Sequence, residues 1–414
     1  MDQILDTVME VFAKRADPYL LATAVIKRKA AEEGLILSKR HLRKVEAALR
    51  GQNVPDFVVR MPGKGPKREF KIQLNAQDLQ EIEGKVQSLL DRLPALMGEL
   101  IELTTDDLLR TLKRTWRREA RRQEREHRRL GTTLRKRWEY PLELLAMIIT
   151  IAGEKGAEIN DTLRSEADPK VAYSDEALTR LHARSCQVAS EVLTLLREGF
   201  ADGALARWRT QHEISVVARF IRENGDGCAE RYLAHSVVES YRAAIQYQRH
   251  CSALGYEPFG KTEMQQFSDG RKAALQKYGP EFDDDYGWAA PVLKVGKPTF
   301  AALEDSIEVS HLRPYYKMAS QNVHATAKGI QFALGLIGDE GILLAGPSDI
   351  GLADPGQLSA LALVQTTITL LTLTTTLDNA VASKVLLALA GEAAEAFCAV
   401  ETSPDDSPVE PTHS

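Results

Sequence analysis

Ten basic residues recur every three or four positions: Arg110, Lys113, Arg114, Arg117, Arg118, Arg121, Arg122, Arg125, Arg128 and Arg129. On a helix that spacing draws one continuous positive stripe. Such a stripe can follow a phosphate backbone and release its counterions. The plainer reading is a solvated face partly paired with Glu119, Glu124 and Glu126. Residues 110–137 hold 13 Lys or Arg against three Glu, a local charge of +10 in a chain of net charge −5. The remainder therefore carries −15, so the basic block stands out from an acidic protein. Leu109, Leu112, Trp116, Ala120, His127 and Leu130 form a separate seam, expected to pack on the body.

Three further constellations carry titratable groups. His212-Glu213 lies on a helix whose seam is Leu205, Trp208, His212, Val216 and Phe220. A histidine on such a seam reads first as a satisfied core residue. Arg207 and His212 also fit Arg-x4-His, which resembles the motif of the HEPN ribonucleases; that resemblance implies action on an RNA phosphodiester, commonly across a dimer interface. Arg231, His235 and Glu239 are spaced by four and share a stripe. His and Glu one turn apart can bond each other or offer two ligands to one metal. Tyr316, Ser320, His324 and Lys328 repeat that spacing. Ser and His can pair as nucleophile and base, but no positioned acid or oxyanion hole is visible. The two matched stripes predict that His235 and His324 face one shared space, with His212-Glu213 close by. Asp283-Asp284-Asp285 lacks the alternating spacing of a calcium loop, and its aromatic neighbours are expected to plug the core.

Composition narrows the classes. The four cysteines, Cys186, Cys228, Cys251 and Cys398, form no Cys-x-x-Cys pair, which argues against zinc ribbons, redox motifs and disulfide scaffolds. No structural metal and no cofactor is expected. The opening Met-Asp-Gln-Ile-Leu-Asp lacks the features of a signal peptide, so a reducing cytoplasm is inferred. Residues 358–377 carry no charge, but seven are threonine and Gln365 sits among them. A buried bundle helix is expected there, not a membrane span.

These residues need helices to place them. Short helices are predicted over the first 51 residues, with a break at Asp17-Pro18, an N-cap at Ser38 and an end at Gly51. Phe57-Val58-Val59 and Phe70-Lys71-Ile72 flank Pro62-Gly63-Lys64-Gly65-Pro66 and predict a hairpin, closing a first region at about residue 75. Residues 76–152 are predicted helical, interrupted at Gly131 and restarted at Tyr140-Pro141. A polar boundary at 153–174 precedes a bundle over 175–400. Within it, 251–300 reads as irregular, one helix spans about Pro314 to Ile330, and two helices cover 358–398. Residues 401–414 read as an acidic disordered tail.

The stretch from about Trp138 to Asp354 resembles a family of bacterial proteins known only as a domain of unknown function, number 5677. The resemblance rests on four segments in order: Ala206–Glu213, Glu230–His235, Asp285–Trp288 and Tyr315–His324. It implies an all-helical fold and supplies no catalytic residue. The expectation is therefore an all-α protein associated with nucleic acid, with RNA or another polyanion as partner, no membrane and a homodimer. An RNA-cleaving activity of the HEPN kind would use Arg207, His212, Arg231, His235, Glu239, Tyr316, Ser320 and His324. The alternatives are a helical metal or small-ligand protein using His235, Glu239, His324 and Glu213, and a non-catalytic interaction module.

Overall fold

A computed structural model describes residues 13–14, 16–51, 57–60, 69–165, 172–336 and 343–402. Among the described residues the protein is all-α apart from one small hairpin. Contacts divide it into two units, Met1–Arg122 and Gln123–Ser414.

The first unit opens with α1 (Pro18–Glu32) and α2 (Lys39–Arg50). At the predicted break the Asp17 carboxylate accepts from the Tyr19 amide and caps α1, and at the predicted N-cap Ser38 Oγ accepts from the His41 amide at 3.3 Å. β1 (Phe57–Arg60) pairs antiparallel with β2 (Glu69–Ile72), Phe57 opposite Ile72. The glycine- and proline-rich turn between them lies outside the described residues. Ile26, Ala30, Leu35, Leu37 and Val45 form a small core. Asn75 and Asp78 exchange side-chain-to-amide bonds of 2.8 and 2.9 Å, a reciprocal cap. They open α3 (Ala76–Ser165), which is continuous for 90 residues.

The expected breaks at Gly131 and Tyr140-Pro141 are absent, because α3 runs through both. An interior proline costs about 3 kcal/mol and a glycine about 1. On this helix Leu134, Trp138, Leu142, Leu145, Ile148 and Ala152 are all buried in the main core, and that face outweighs both.

In the second unit α3 is followed by α4 (Tyr173–Arg197), α5 (Ala201–Asn224), α6 (Asp226–Ala234) and α7 (Ser236–His250). Then come α8 (Lys261–Tyr278), α9 (Ala290–Leu293), α10 (Phe300–Ser306), α11 (Arg313–Val323), α12 (Ala353–Leu371) and α13 (Leu377–Thr402). α8 falls where an irregular stretch was expected. Only Ala274 of α8 is buried, so its sequence shows little apolar periodicity. α11 stops at Val323, short of the expected Ile330; His324 closes it and Ala325 has φ 47°. The tail beyond Thr402 lies outside the described residues.

α4, α5, α12 and α13 pack together, and α12 is the threonine-rich stretch. Its polar atoms find partners within the protein. Thr366 and Thr367 donate to the Ala362 and Leu363 carbonyls at 2.8 Å, Ser359 donates to Gln211 at 2.7 Å, and Ser215 donates to Gln365 at 3.2 Å. Among the described residues, no helix is long and apolar enough to cross a membrane.

His182 on α4 is 3% exposed and lies 3.1 Å from the Thr367 hydroxyl. That hydroxyl already donates to Leu363, so His182 Nε2 is the donor. Gly156 of α3 admits the ring: a methyl group at 156 would sit 2.5 Å from its Cε1 and Nδ1. Gly156→Ala should therefore cost about 1–3 kcal/mol in urea unfolding, despite alanine's better helix propensity. Burial also pushes the imidazole down to about 4 from its ordinary 6.5. Above pH 6.5 the ring is neutral folded or unfolded, and it contributes no pH dependence. Below 6.5 the unfolded chain takes the proton first, so stability drains away until about pH 4. The loss is on the order of 3 kcal/mol. Unfolding measured across pH 4–7 should show this slope in the parent chain and lack it in His182→Gln; equal slopes would contradict the assignment.

Candidate functional site: a buried His–Glu–Arg cluster

α5 carries Trp208, Arg209, His212 and Glu213 toward α10 and α11. His212 is buried in a ring cage: Trp208 stacks at 5.2 Å between centroids, and Phe300 and Tyr316 stand at 5.9 and 6.0 Å. Its Nε2 lies 2.9 Å from Glu304 Oε1. The other carboxylate oxygen receives Arg313 Nη2 at 2.7 Å, and Arg313 also donates to the Ala301 carbonyl at 2.8 Å. Glu304 is 1% exposed. Burial drives the His212 imidazole below its ordinary value, although hydrogen bonding to Glu304 opposes it.

A second, half-buried layer lies beside this one. The Tyr316 hydroxyl donates to Glu213 at 2.7 Å and accepts from Arg209 at 3.0 Å. The Arg209 guanidinium also covers the Tyr316 ring at 4.9 Å. Burial, reinforced by Glu213, pushes the Tyr316 phenol up to about 12. The Tyr286 phenol is raised as well, by burial first and then by Glu213. Chemically, the cluster is a carboxylate-oriented imidazole behind a tyrosine–carboxylate–guanidinium layer. The imidazole itself is closed to solvent.

The remaining predicted residues go elsewhere. Arg207 is ion-paired with Glu191 of α4 and bonds Thr210 at 3.1 Å. Five helical positions separate it from His212, so the two occupy different faces and the Arg-x4-His pair does not converge. Arg231 donates to three carbonyls, of Trp288, Gly287 and Tyr278, at 3.0, 3.1 and 3.4 Å. It also lies over the Tyr278 and Phe282 rings. His235 Nε2 meets the Asp284 carbonyl at 2.9 Å, and its Nδ1 lies 3.3 Å from Glu239. Hydrogen bonding to His235 holds the Glu239 carboxyl below the usual range. Arg231 and His235 thus pin the 278–288 loop. Phe282 and Trp288 of that loop are buried, as the plug reading expects. Gly287 has backbone of Glu281 and Phe282 within 2.7 Å of where a Cβ would stand, so only glycine fits.

Ser320 spends its hydroxyl on the Tyr316 carbonyl at 2.7 Å. His324 is exposed at the end of α11, and Lys328 is exposed beyond it. His235 and His324 therefore share no contact, and the expected common space is not formed. Of the two stripes, only Tyr316 joins His212-Glu213. Among the described residues no group of three or more His, Cys, Asp or Glu is arranged to hold a metal. A surface groove of about 520 Å³ lies elsewhere, lined by His127, Arg135, Glu139, Glu143, Arg197 and Glu198.

Sequence reasoning passed over Glu304, Arg313 and Arg209. Glu304 did leave a signal: Phe300, Leu303, Glu304 and Ile307 share one helical face, and an acid on an apolar face requires a partner.

On the basic stripe, all ten side chains from Arg110 to Arg129 are exposed. Arg110, Arg122 and Arg128 pair with Asp107, Glu119 and Glu124. Among the described residues, no acid pairs with Lys113, Arg114, Arg117, Arg118, Arg121, Arg125 or Arg129. The seam expected to pack does not do so at Leu109, Leu112 and Trp116, which are 47, 55 and 57% exposed. His127 pairs with Glu198 at 2.7 Å.

Residues 175–341 match the model of a family described as a family of unknown function (DUF5677), and that segment contains the whole His212–Glu304–Arg313 cluster. No curated protein and no solved structure matches the chain.

Removing the central carboxylate should expose its structural weight. Glu304→Ala leaves Arg313 and His212 facing an empty site, at a cost of about 3–5 kcal/mol. Glu304→Gln keeps the side-chain volume and one of the two acceptor oxygens and should cost less than alanine. Chemical unfolding of both variants checks this; indistinguishable stabilities would show that the carboxylate is not what joins the helices.

Proposed function

We propose that this chain binds the phosphate backbone of nucleic acid, RNA first, through the exposed basic face of α3. The carrying observation is that seven exposed cations between Lys113 and Arg129 have no acid partner among the described residues. Cations placed to satisfy the fold have intramolecular acceptors, acids for Arg313 and Arg207 and carbonyls for Arg231. Unpaired like charges three and four residues apart instead repel one another along the helix. A polyanion relieves that repulsion and gains counterion release. The residues are arginines for the most part, which suits bidentate contact to phosphate. One straight face of this kind favours backbone contact over base readout.

Binding is the proposed activity, and cleavage is not part of it. Arg207 is engaged by Glu191 and His212 by Glu304, so neither is free to act on a phosphodiester.

The test is RNA affinity against salt. Log affinity should fall linearly with log salt, and unrelated RNA sequences should bind alike. Arg114→Glu combined with Arg117→Glu and Arg118→Glu should weaken every RNA by about tenfold or more and flatten the slope, by about 0.7 per lost phosphate contact on single strands. Unchanged affinity and slope in the triple variant would end the proposal.

A further inference from the structure

The other face of α3 carries a second pattern. Leu79, Leu90, Ile101 and Leu112 follow one another at intervals of 11 residues, and all are exposed: 50, 45, 60 and 55%. Leu108, 49% exposed, lies on the same face. At about 100° per residue, 11 residues make almost three full turns, so these side chains form a nearly straight apolar row. An 11-residue apolar repeat is the signature of a helix that packs lengthwise on another helix with right-handed supercoiling. Arg114 is two residues from Leu112 and therefore lies roughly opposite, so the apolar row and the basic face are separate surfaces.

Charge says what covers the row. Residues 76–107 contain eight acids and two bases, whereas 110–129 contain ten bases and three acids. Two copies of α3 set side by side in parallel would bring base against base. Set antiparallel about Ile101, the acidic stretch 76–92 of each helix meets the basic stretch 110–126 of the other. We infer that the face of α3 marked by Leu90, Ile101, Leu108 and Leu112 is a self-association seam, occupied by α3 of a second copy running antiparallel. The seam also gives this stretch of helix the tertiary burial on which long helices depend. It uses the apolar row and leaves the opposite, arginine-rich face to solvent, so it does not rest on RNA binding.

Analytical ultracentrifugation of the full chain, nuclease-treated and at micromolar concentration, should show a dimer. Ile101→Glu with Leu112→Glu should convert it to monomer, with the second unit's near-ultraviolet circular dichroism unchanged. A monomeric parent chain, or a dimer indifferent to the double substitution, would overturn the inference. Orientation is read by single cysteines in a Cys398→Ser background under mild oxidation. Ile101→Cys, at the centre, should form disulfide dimers, and Leu108→Cys and Leu79→Cys, displaced from it along the axis, should not. Efficient cross-linking at Leu79→Cys would mean a parallel pair and would refute the antiparallel seam. The arginine triple variant used for RNA separates the two proposals, because a loss of RNA binding with the dimer intact removes one and leaves the other.

Discussion

Glu304 is the point on which the second unit's polar interior turns. Its carboxylate is almost wholly buried, yet each oxygen has a partner: His212 from α5 hydrogen-bonds one and Arg313 from α11 ion-pairs with the other. A buried carboxylate with only one of those partners would be strongly unfavourable. The pair therefore fixes how α5, α10 and α11 meet. The ring cage of Trp208, Phe300 and Tyr316 then follows, since those residues line the approach to the imidazole.

The same rule operates across the bundle with other chemistry. Arg231 spends its guanidinium on carbonyls and has no acid, which holds an otherwise irregular loop against α6. α12 satisfies its threonines on its own backbone, so an uncharged helix can be buried although it is rich in hydroxyls. His182 takes one such hydroxyl and fills the gap left by Gly156. Titratable groups are thus spread through the interior as fastenings. Those that converge at α5 and α11 form the densest group, and its inner layer is sealed.

α3 follows a different economy. Its C-terminal half contributes one face to the bundle core. Earlier in the helix, between Leu90 and Arg122, apolar and basic rows both face solvent on different sides. An interior network explains why buried charges are paired; it gives no reason for exposed rows of one kind. The partners proposed for the two rows differ accordingly: phosphates for the arginines and a second α3 for the leucines.

Much of this protein was legible in its sequence. Helical periodicity gave an all-α chain, the break at Asp17-Pro18 and the Ser38 cap marked the start of two helices, and two short extended runs around a Gly/Pro turn placed the hairpin. The basic stripe and the core position of His212 followed from spacing alone, because both depend only on the angle between residues on one helix. What spacing cannot supply is the partner across the gap. Arg231, His235 and Glu239 share a stripe, but only the folded chain shows that it faces the 278–288 loop and not α11. Pro141 and Gly131 read as breaks because local propensity disfavours them, yet long-range burial of Leu134, Trp138 and Leu145 carries the helix through. Glu304 and Arg313 come from short helices in a stretch with little periodicity, 92 and 101 positions from His212 in the chain. Their meeting is a tertiary event, decided by the need of buried charge for a partner, and no local pattern encodes it.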